Sequence, residues 1–183
     1  MQAKKNRGKK IETIFRECAE KDGLFIIRLK DSATSWQGGD ARFTPDNPCD
    51  FIIFQSPYLF ALELKSTIGM SFSIQLSTED ASAMIKAHQI NSLIKMSQYK
   101  NFVCGFIFNV YSEKTDEEQL WYLSIQNFSK FIAETDKKSI NVSDIETYGG
   151  IRAEVVRKRV WSTFKVGALI EDIVEKEARC GSL

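Results

Sequence analysis

The chain has 183 residues, 43% of them hydrophobic and 27% charged, with a formal net charge of +1. That length fits one domain, the composition suits a soluble globular protein with a sizeable core, and the near-zero charge implies no partner by itself. A single histidine and four scattered cysteines without a C-x2-C pair exclude histidine-built zinc sites, and no Gly-x-Ser-x-Gly elbow accompanies His88 to make a hydrolase triad.

In chain order, Lys9 to Lys21 is predicted as an amphipathic helix, with Ile11, Ile14, Phe15, Cys18 and Ala19 at helical spacing and Asp22-Gly23 as its stop. The residues before it, basic at Lys4, Lys5 and Arg7, read as a tail over 1–8. Leu24 to Leu29 suits a short strand, and Asp31 to Asn47, rich in Gly, Ser and Pro, suits a loop. Phe51–Gln55 and Tyr58–Ser66, separated by Ser56-Pro57, describe an antiparallel hairpin.

A helix is expected within Glu79–Gln98, with Met84, Ile85, Leu93 and Met96 inward. Phe102–Tyr111 is almost wholly apolar, as in a strand covered on both faces; a strand at Leu120–Ile125 and a short helix at Phe128–Glu134 follow. Asp136–Gly150 is polar. An extension over 150–183, basic at Arg152, Arg157, Lys158, Arg159 and Lys165, ends in a predicted helix at Val166–Ala178. This order predicts a single α/β domain with a central mixed sheet flanked by helices. No apolar run approaches the ~20 residues of a membrane span. No hydrophobic stretch follows the basic N-terminus as in a secretory signal, so a reducing cytoplasm is the expected compartment. Neither a Gly-x4-Gly-Lys-[Ser/Thr] loop nor a Gly-x-Gly-x2-Gly fingerprint is present, which argues against a nucleotide cofactor.

The chemistry concentrates on Asp50, Glu63 and Lys65, spaced Asp-x12-Glu-x-Lys. On a strand, residues i and i+2 share a face, so Glu63 and Lys65 point one way while Phe60, Leu62 and Leu64 point into a core. The hairpin returns the chain so that Asp50 and Glu63 stand side by side. Spacing alone is weak evidence: Asp136-Lys137-Lys138 also fits Asp-x-Lys, but in a polar segment that reads as a linker. Two carboxylates beside an ammonium suit hydrolysis of a phosphodiester with a hard cation such as Mg²⁺, which is usually held by one or two carboxylates and the substrate's phosphate. Lys65 would position the attacking water or stabilise growing negative charge. The alternative is a cross-strand ion pair worth ~0–1 kcal/mol.

These residues resemble the Asp, Glu and Lys of PD-(D/E)xK nucleases, with Pro48-Cys49-Asp50 in place of Pro-Asp. The details are similar to the RecU-type Holliday junction resolvases of Gram-positive bacteria and their phages. Arg7-Gly8-Lys9-Lys10-Ile11-Glu12 resembles their opening helix, Ala87-His88-Gln89-Ile90 their His-Gln helix, and Lys138-Ser139-Ile140 with Ile145-Glu146 the segment after the last core strand. The resemblance implies a restriction-endonuclease-like fold with an α-β-β-β-α-β core. It implies Mg²⁺ or Mn²⁺ at Asp50, Glu63 and an accessory Glu12, and a Gln89 that supports Lys65 or the metal's water. His88 is expected to be structural, half-buried or hydrogen-bonded, or else to face the phosphate without a proton-transfer role.

It further implies a homodimer that nicks four-way DNA junctions symmetrically. Lys4, Lys5, Arg7 and Lys9 would meet phosphates from the N-terminus, and Arg28, Lys30 and Arg42 from the flanks of the 31–47 loop. That loop is shorter than the family's junction-entering stalk. Trp36 and Phe43 on it either stack on unpaired bases or form a small satellite cluster. Two other readings fit the same residues: an endonuclease acting on ordinary duplex, and a non-catalytic binding module, against which the intact acid-acid-lysine set argues.

Overall fold

The computed structural model describes residues 2–29, 47–76, 82–158 and 161–179, with the backbone alone for 2–6, 178 and 179. Its elements are α1 (Gln2–Lys21), β1 (Phe25–Arg28), β2 (Phe51–Gln55), β3 (Tyr58–Ile68), β4 (Ser71–Ser73), α2 (Ala87–Met96), β5 (Phe102–Ser112) and β6 (Glu117–Ser124). They continue with α3 (Ile125–Glu134), β7 (Ser139–Asn141), α4 (Val142–Thr147), β8 (Ile151–Arg152), β9 (Val155–Val156), β10 (Thr163–Phe164) and α5 (Val166–Arg179).

Six strands form the main sheet in the order β1-β2-β3-β5-β6-β8. Within this sheet, among the described residues, only β3 and β5 run parallel, because α2 crosses over between them, and the other pairs are antiparallel. The expected mixed sheet flanked by helices, with its α-β-β-β-α-β succession, is therefore present, and the Ser56-Pro57 hairpin joins β2 to β3. β4 pairs with β7, and β9 with β10, as small separate sheets.

Strand alternation sorts β3 between two cores. Phe60, Leu62 and Leu64 pack with Ile11, Ile14 and Phe15 of α1 and Leu169, Ile170 and Ile173 of α5. Ala61 packs on the other face, with Ile90 and Leu93 of α2 and Phe128 and Phe131 of α3. Gly105 of β5 is needed there: a Cβ would come within 2.5 Å of the Leu123 carbonyl oxygen and 2.6 Å of the Tyr122 ring.

Four expectations change. α1 begins at Gln2, so the basic stretch expected as a tail continues the helix. α2 is shorter than its window: Met84 and Ile85 precede it, and Ile85 bridges to Ile74. The polar segment 136–150 contains β7 and α4, nucleated by a capping box in which Asn141 and Asp144 accept each other's backbone N–H. Within the extension, β8 adds an edge to the main sheet, because Ile151 and Arg152 pair with Tyr122 and Trp121. No helix among the described residues is long and apolar enough to cross a membrane.

Candidate active site

The site begins where β2 stops. Pairing of Phe51 with Leu62 brings Asp50 alongside the next residues of β3. The backbone of Asp50 is tied on both sides: its N–H donates to Leu62 O at 3.1 Å and its carbonyl accepts from the Leu29 N–H at 2.8 Å. Beyond Phe51 the ladder has no further strand pair, and the side chain takes over, Asp50 Oδ2 accepting the Leu64 N–H at 2.8 Å. The carboxylate is thus fixed at the fork between two strands.

Glu63 stands beside it, on the α2 side of the sheet. Sequence alternation places Glu63 and Lys65 on one face as expected, but that face is covered, and Glu63 is only 3% exposed. Its Oε1 accepts from Lys65 Nζ at 2.9 Å and from Gln89 Nε2 at 2.5 Å. Burial pushes the Glu63 carboxyl up to about 7, the negative charges of Asp50 and Glu12 add to that, and Lys65 pulls the other way. Cys49, behind the pair, is buried and pushed up to about 12, by burial first and then by Glu63 and Asp50, so it is an inert core thiol.

Two helices deliver the remaining polar groups. Gln89 sits in the first turn of α2, where its Oε1 accepts the Lys86 N–H at 3.0 Å; this leaves the amide nitrogen for Glu63. Glu12 projects from α1 and forms an ion pair with Arg28 of β1. Its charge reaches Glu63. Lys65 and Gln89 therefore meet on Glu63, beside Asp50, while Glu12 is in contact with Arg28. His88, by contrast, is exposed on α2 rather than built into the structure.

The residues expected to meet DNA divide. Lys9 is exposed on α1. Arg7 is turned inward: its Nη2 donates to Glu118 Oε1 at 2.6 Å, and its guanidinium lies 4.5 Å from the Tyr111 ring centroid and 5.5 Å from that of Trp161. Only 12% of its side chain is exposed, so little of it is left for a phosphate. Arg28 is engaged by Glu12. The side chains of Lys4 and Lys5 lie outside the described residues, as do Lys30, Arg42, Trp36 and Phe43.

Sequence reasoning missed the network that holds α1 over the sheet. Ser66 Oγ donates to Asn109 Oδ1 at 2.8 Å, and Asn109 Nδ2 donates at 3.0 Å to the same Glu118 oxygen that binds Arg7. A single Asn inside the apolar run of β5 was the one available signal. The Asp136-Lys137-Lys138 decoy is structural, with Lys137 Nζ paired to Asp144 at 2.6 Å.

A hard divalent cation fits the donor set. The ligands offered are oxygens, the nearby thiol is held protonated, and burial together with neighbouring acids makes a second negative charge on Glu63 costly until a cation balances it. Among the described residues no group of three or more His, Cys, Asp or Glu stands close enough to hold a metal ion, so the site offers two carboxylates and not three. Two carboxylates leaving room for water and phosphate is the arrangement such ions usually take in phosphoryl chemistry.

No family model matches the chain. It is 28% identical over 184 residues to the SPbeta prophage-derived uncharacterized protein YotM of Bacillus subtilis strain 168, an alignment covering 94% of this chain and 89% of that protein. Among solved structures it is similar to Hjc, a Holliday junction resolvase from the archaeal hyperthermophile Archaeoglobus fulgidus, at a TM-score of 0.49 and 14% identity, covering 80% of this chain and 94% of that one.

Proposed function

We propose that this chain is a metal-dependent DNA endonuclease that resolves four-way junctions by paired symmetric nicks, as a RecU-type homodimer. The observation that carries the reading is Glu63: a buried acid on a central strand, bonded through one oxygen to Lys65 and Gln89, beside an Asp50 fixed at the strand fork. A surface ion pair would need neither the burial nor the amide from α2.

In this reading Asp50 and Glu63 hold Mg²⁺, or Mn²⁺ in its place. When bound, the ion supplies Lewis-acid charge at the scissile phosphate and favours the deprotonated form of an attacking water. Lys65, hydrogen-bonded to Glu63, orients the water and stabilises charge developing on the phosphoryl oxygens. Gln89 holds Glu63 in place through a fixed amide dipole. Asp50 cannot swing away while it accepts the Leu64 N–H. Such preorganisation lowers the reorganisation needed at the moment of reaction.

Two copies related by a two-fold axis would set one site on each of two opposing strands of a symmetric junction. Lys9 on α1 is the exposed cation of the predicted DNA set among the described side chains. The prophage-derived name of the Bacillus relative supports a phage or prophage member. The test is to incubate the protein with a synthetic four-way junction and a matched linear duplex, with Mg²⁺ and with chelator. Symmetric junction nicking that chelator abolishes is expected. Equal cutting of linear duplex would replace the junction reading with a duplex endonuclease, and no cutting of either would remove the enzyme.

A further inference from the structure

We infer that the groove between α1 and the β9–β10 hairpin seats an unpaired stretch of DNA, its phosphates on a rim of lysines and its bases on an apolar floor. The choice of DNA as ligand rests on the nuclease reading above; the groove itself lies apart from the cleavage site. Ile14, Cys18 and Phe164 along it belong to the core under Phe60, Leu62 and Leu64. That core covers the face of β3 opposite Glu63 and Lys65.

The walls are tied together. The Phe164 N–H donates to Cys18 Sγ at 3.4 Å and the Gly167 N–H to Asp22 Oδ2 at 2.8 Å, which fixes β10 and the start of α5 against α1. The cavity between them measures about 600 Å³. Ordinary ligand sites span ~300–1,000 Å³, so a short strand has room.

The rim carries cations that the fold leaves unused. Arg7, Arg16, Arg28, Arg152 and Arg157 each meet a carboxylate. Lys10 and Lys21 of α1 and Lys158 and Lys165 of the extension line the groove, and all four are exposed. None of them has a side-chain hydrogen bond or ion pair among the described residues. Glu17 and Asp22 are the acids of the same groove, and Asp22 is engaged by Gly167. With every group ionised, four ammonium groups against two carboxylates leave a positive groove, which suits a phosphate backbone.

The floor decides between duplex and single strand. Ile14, Cys18, Val156 and Phe164 make it apolar, and the half-buried Trp161 stands at its side. Trp161 also lines the neighbouring cavity, where the Arg7 guanidinium lies 5.5 Å from its ring centroid. Duplex DNA turns its bases inward and would use the lysines alone. A single strand uses both features, because its bases stack on an aromatic ring while the cations follow the backbone.

The test is binding of the full chain in chelator, read by fluorescence anisotropy of a short labelled oligo-dT and of a matched duplex over a salt series. Lys21→Ala, Lys158→Ala and Lys165→Ala combined are expected to reduce the slope of log affinity against log salt by about two on oligo-dT, at ~0.7 per phosphate contact. The slope on duplex should stay unchanged. Trp161→Ala is expected to weaken oligo-dT binding roughly tenfold, with little effect on duplex. Should that variant fail to fold, the lysine variant decides, since its exposed side chains hold nothing in place. An unchanged slope on oligo-dT, or an equal fall on duplex, overturns the inference. A protein that binds as expected but cuts no DNA keeps the groove and loses the nuclease reading, whereas junction cutting with unchanged slopes removes the groove alone.

Discussion

Gln89 joins the first turn of α2 to the carboxylate of Glu63: its Oε1 accepts the Lys86 N–H at 3.0 Å while its Nε2 donates to Glu63 Oε1 at 2.5 Å. One amide thus satisfies an orphan backbone donor and fixes the acid, so the substitution that separates the two tasks is Gln89→Glu. Glutamate is the favoured partner at this capping position and keeps the acceptor, so the fold should survive. The donor to Glu63 is lost and a like charge is added, which raises the Glu63 carboxyl further. The acid limb of the pH–rate profile on a four-way junction should move to higher pH, with an unchanged melting temperature to within a few degrees. An unmoved limb would mean that Gln89 serves only the helix.

Glu63 makes stability depend on pH. Its carboxyl is held at about 7 rather than 4.5, so between those values the folded protein binds more protons than the unfolded chain. Stability is therefore greatest below the lower value and falls as pH rises toward the upper one, by ~3 kcal/mol in total. Metal-free melts between about pH 5 and about pH 8 should show wild type losing roughly 6–12 °C more than Glu63→Gln. Saturating Mg²⁺ should flatten the wild-type slope, because the cation takes the place of the proton. Parallel slopes for the two proteins would remove Glu63 as the titrating group.

Asp50→Asn separates charge from structure in the same way. An amide oxygen can still accept the Leu64 N–H, so the strand fork and the melting temperature should be retained. The metal loses a charged ligand, and cleavage should drop by at least ~10²-fold, the equivalent of a few kcal/mol of transition-state stabilisation. Metal-dependent cutting at the wild-type rate in this variant would falsify the site assignment.

Arg7 and Lys9 are two residues apart and should behave oppositely. Arg7→Met leaves the Glu118 carboxylate, 6% exposed, without its ion-pair partner. That should cost about 3 kcal/mol of stability and leave the salt dependence of junction binding unchanged. Lys9→Ala should leave the melt unchanged and reduce the slope of log affinity against log salt by about one. Denaturant melts and filter-binding titrations over a salt series check both.

The sequence by itself determined the hairpin, the sorting of β3 between two faces and the Asp50–Glu63–Lys65 set. Each follows from a local rule: a two-residue turn, the period of two along a strand, and a spacing that the turn folds back on itself. Gln89 was singled out through the resemblance to the family's His-Gln helix, whereas its place in the first turn of α2, against Glu63, came from the structure. The tertiary structure alone decided which cations are spent. Arg7 and Arg28 read as phosphate contacts in a list of basic residues, yet Arg7 meets Glu118, 111 positions away, and Arg28 meets Glu12 across the gap between α1 and β1. Burial of Glu63 was likewise invisible, since the alternation that predicts its face does not say that α2 will cover it. Whether a charged side chain faces water or a partner depends on what the rest of the chain brings against it, and those contacts leave no periodic trace in the residues that make them.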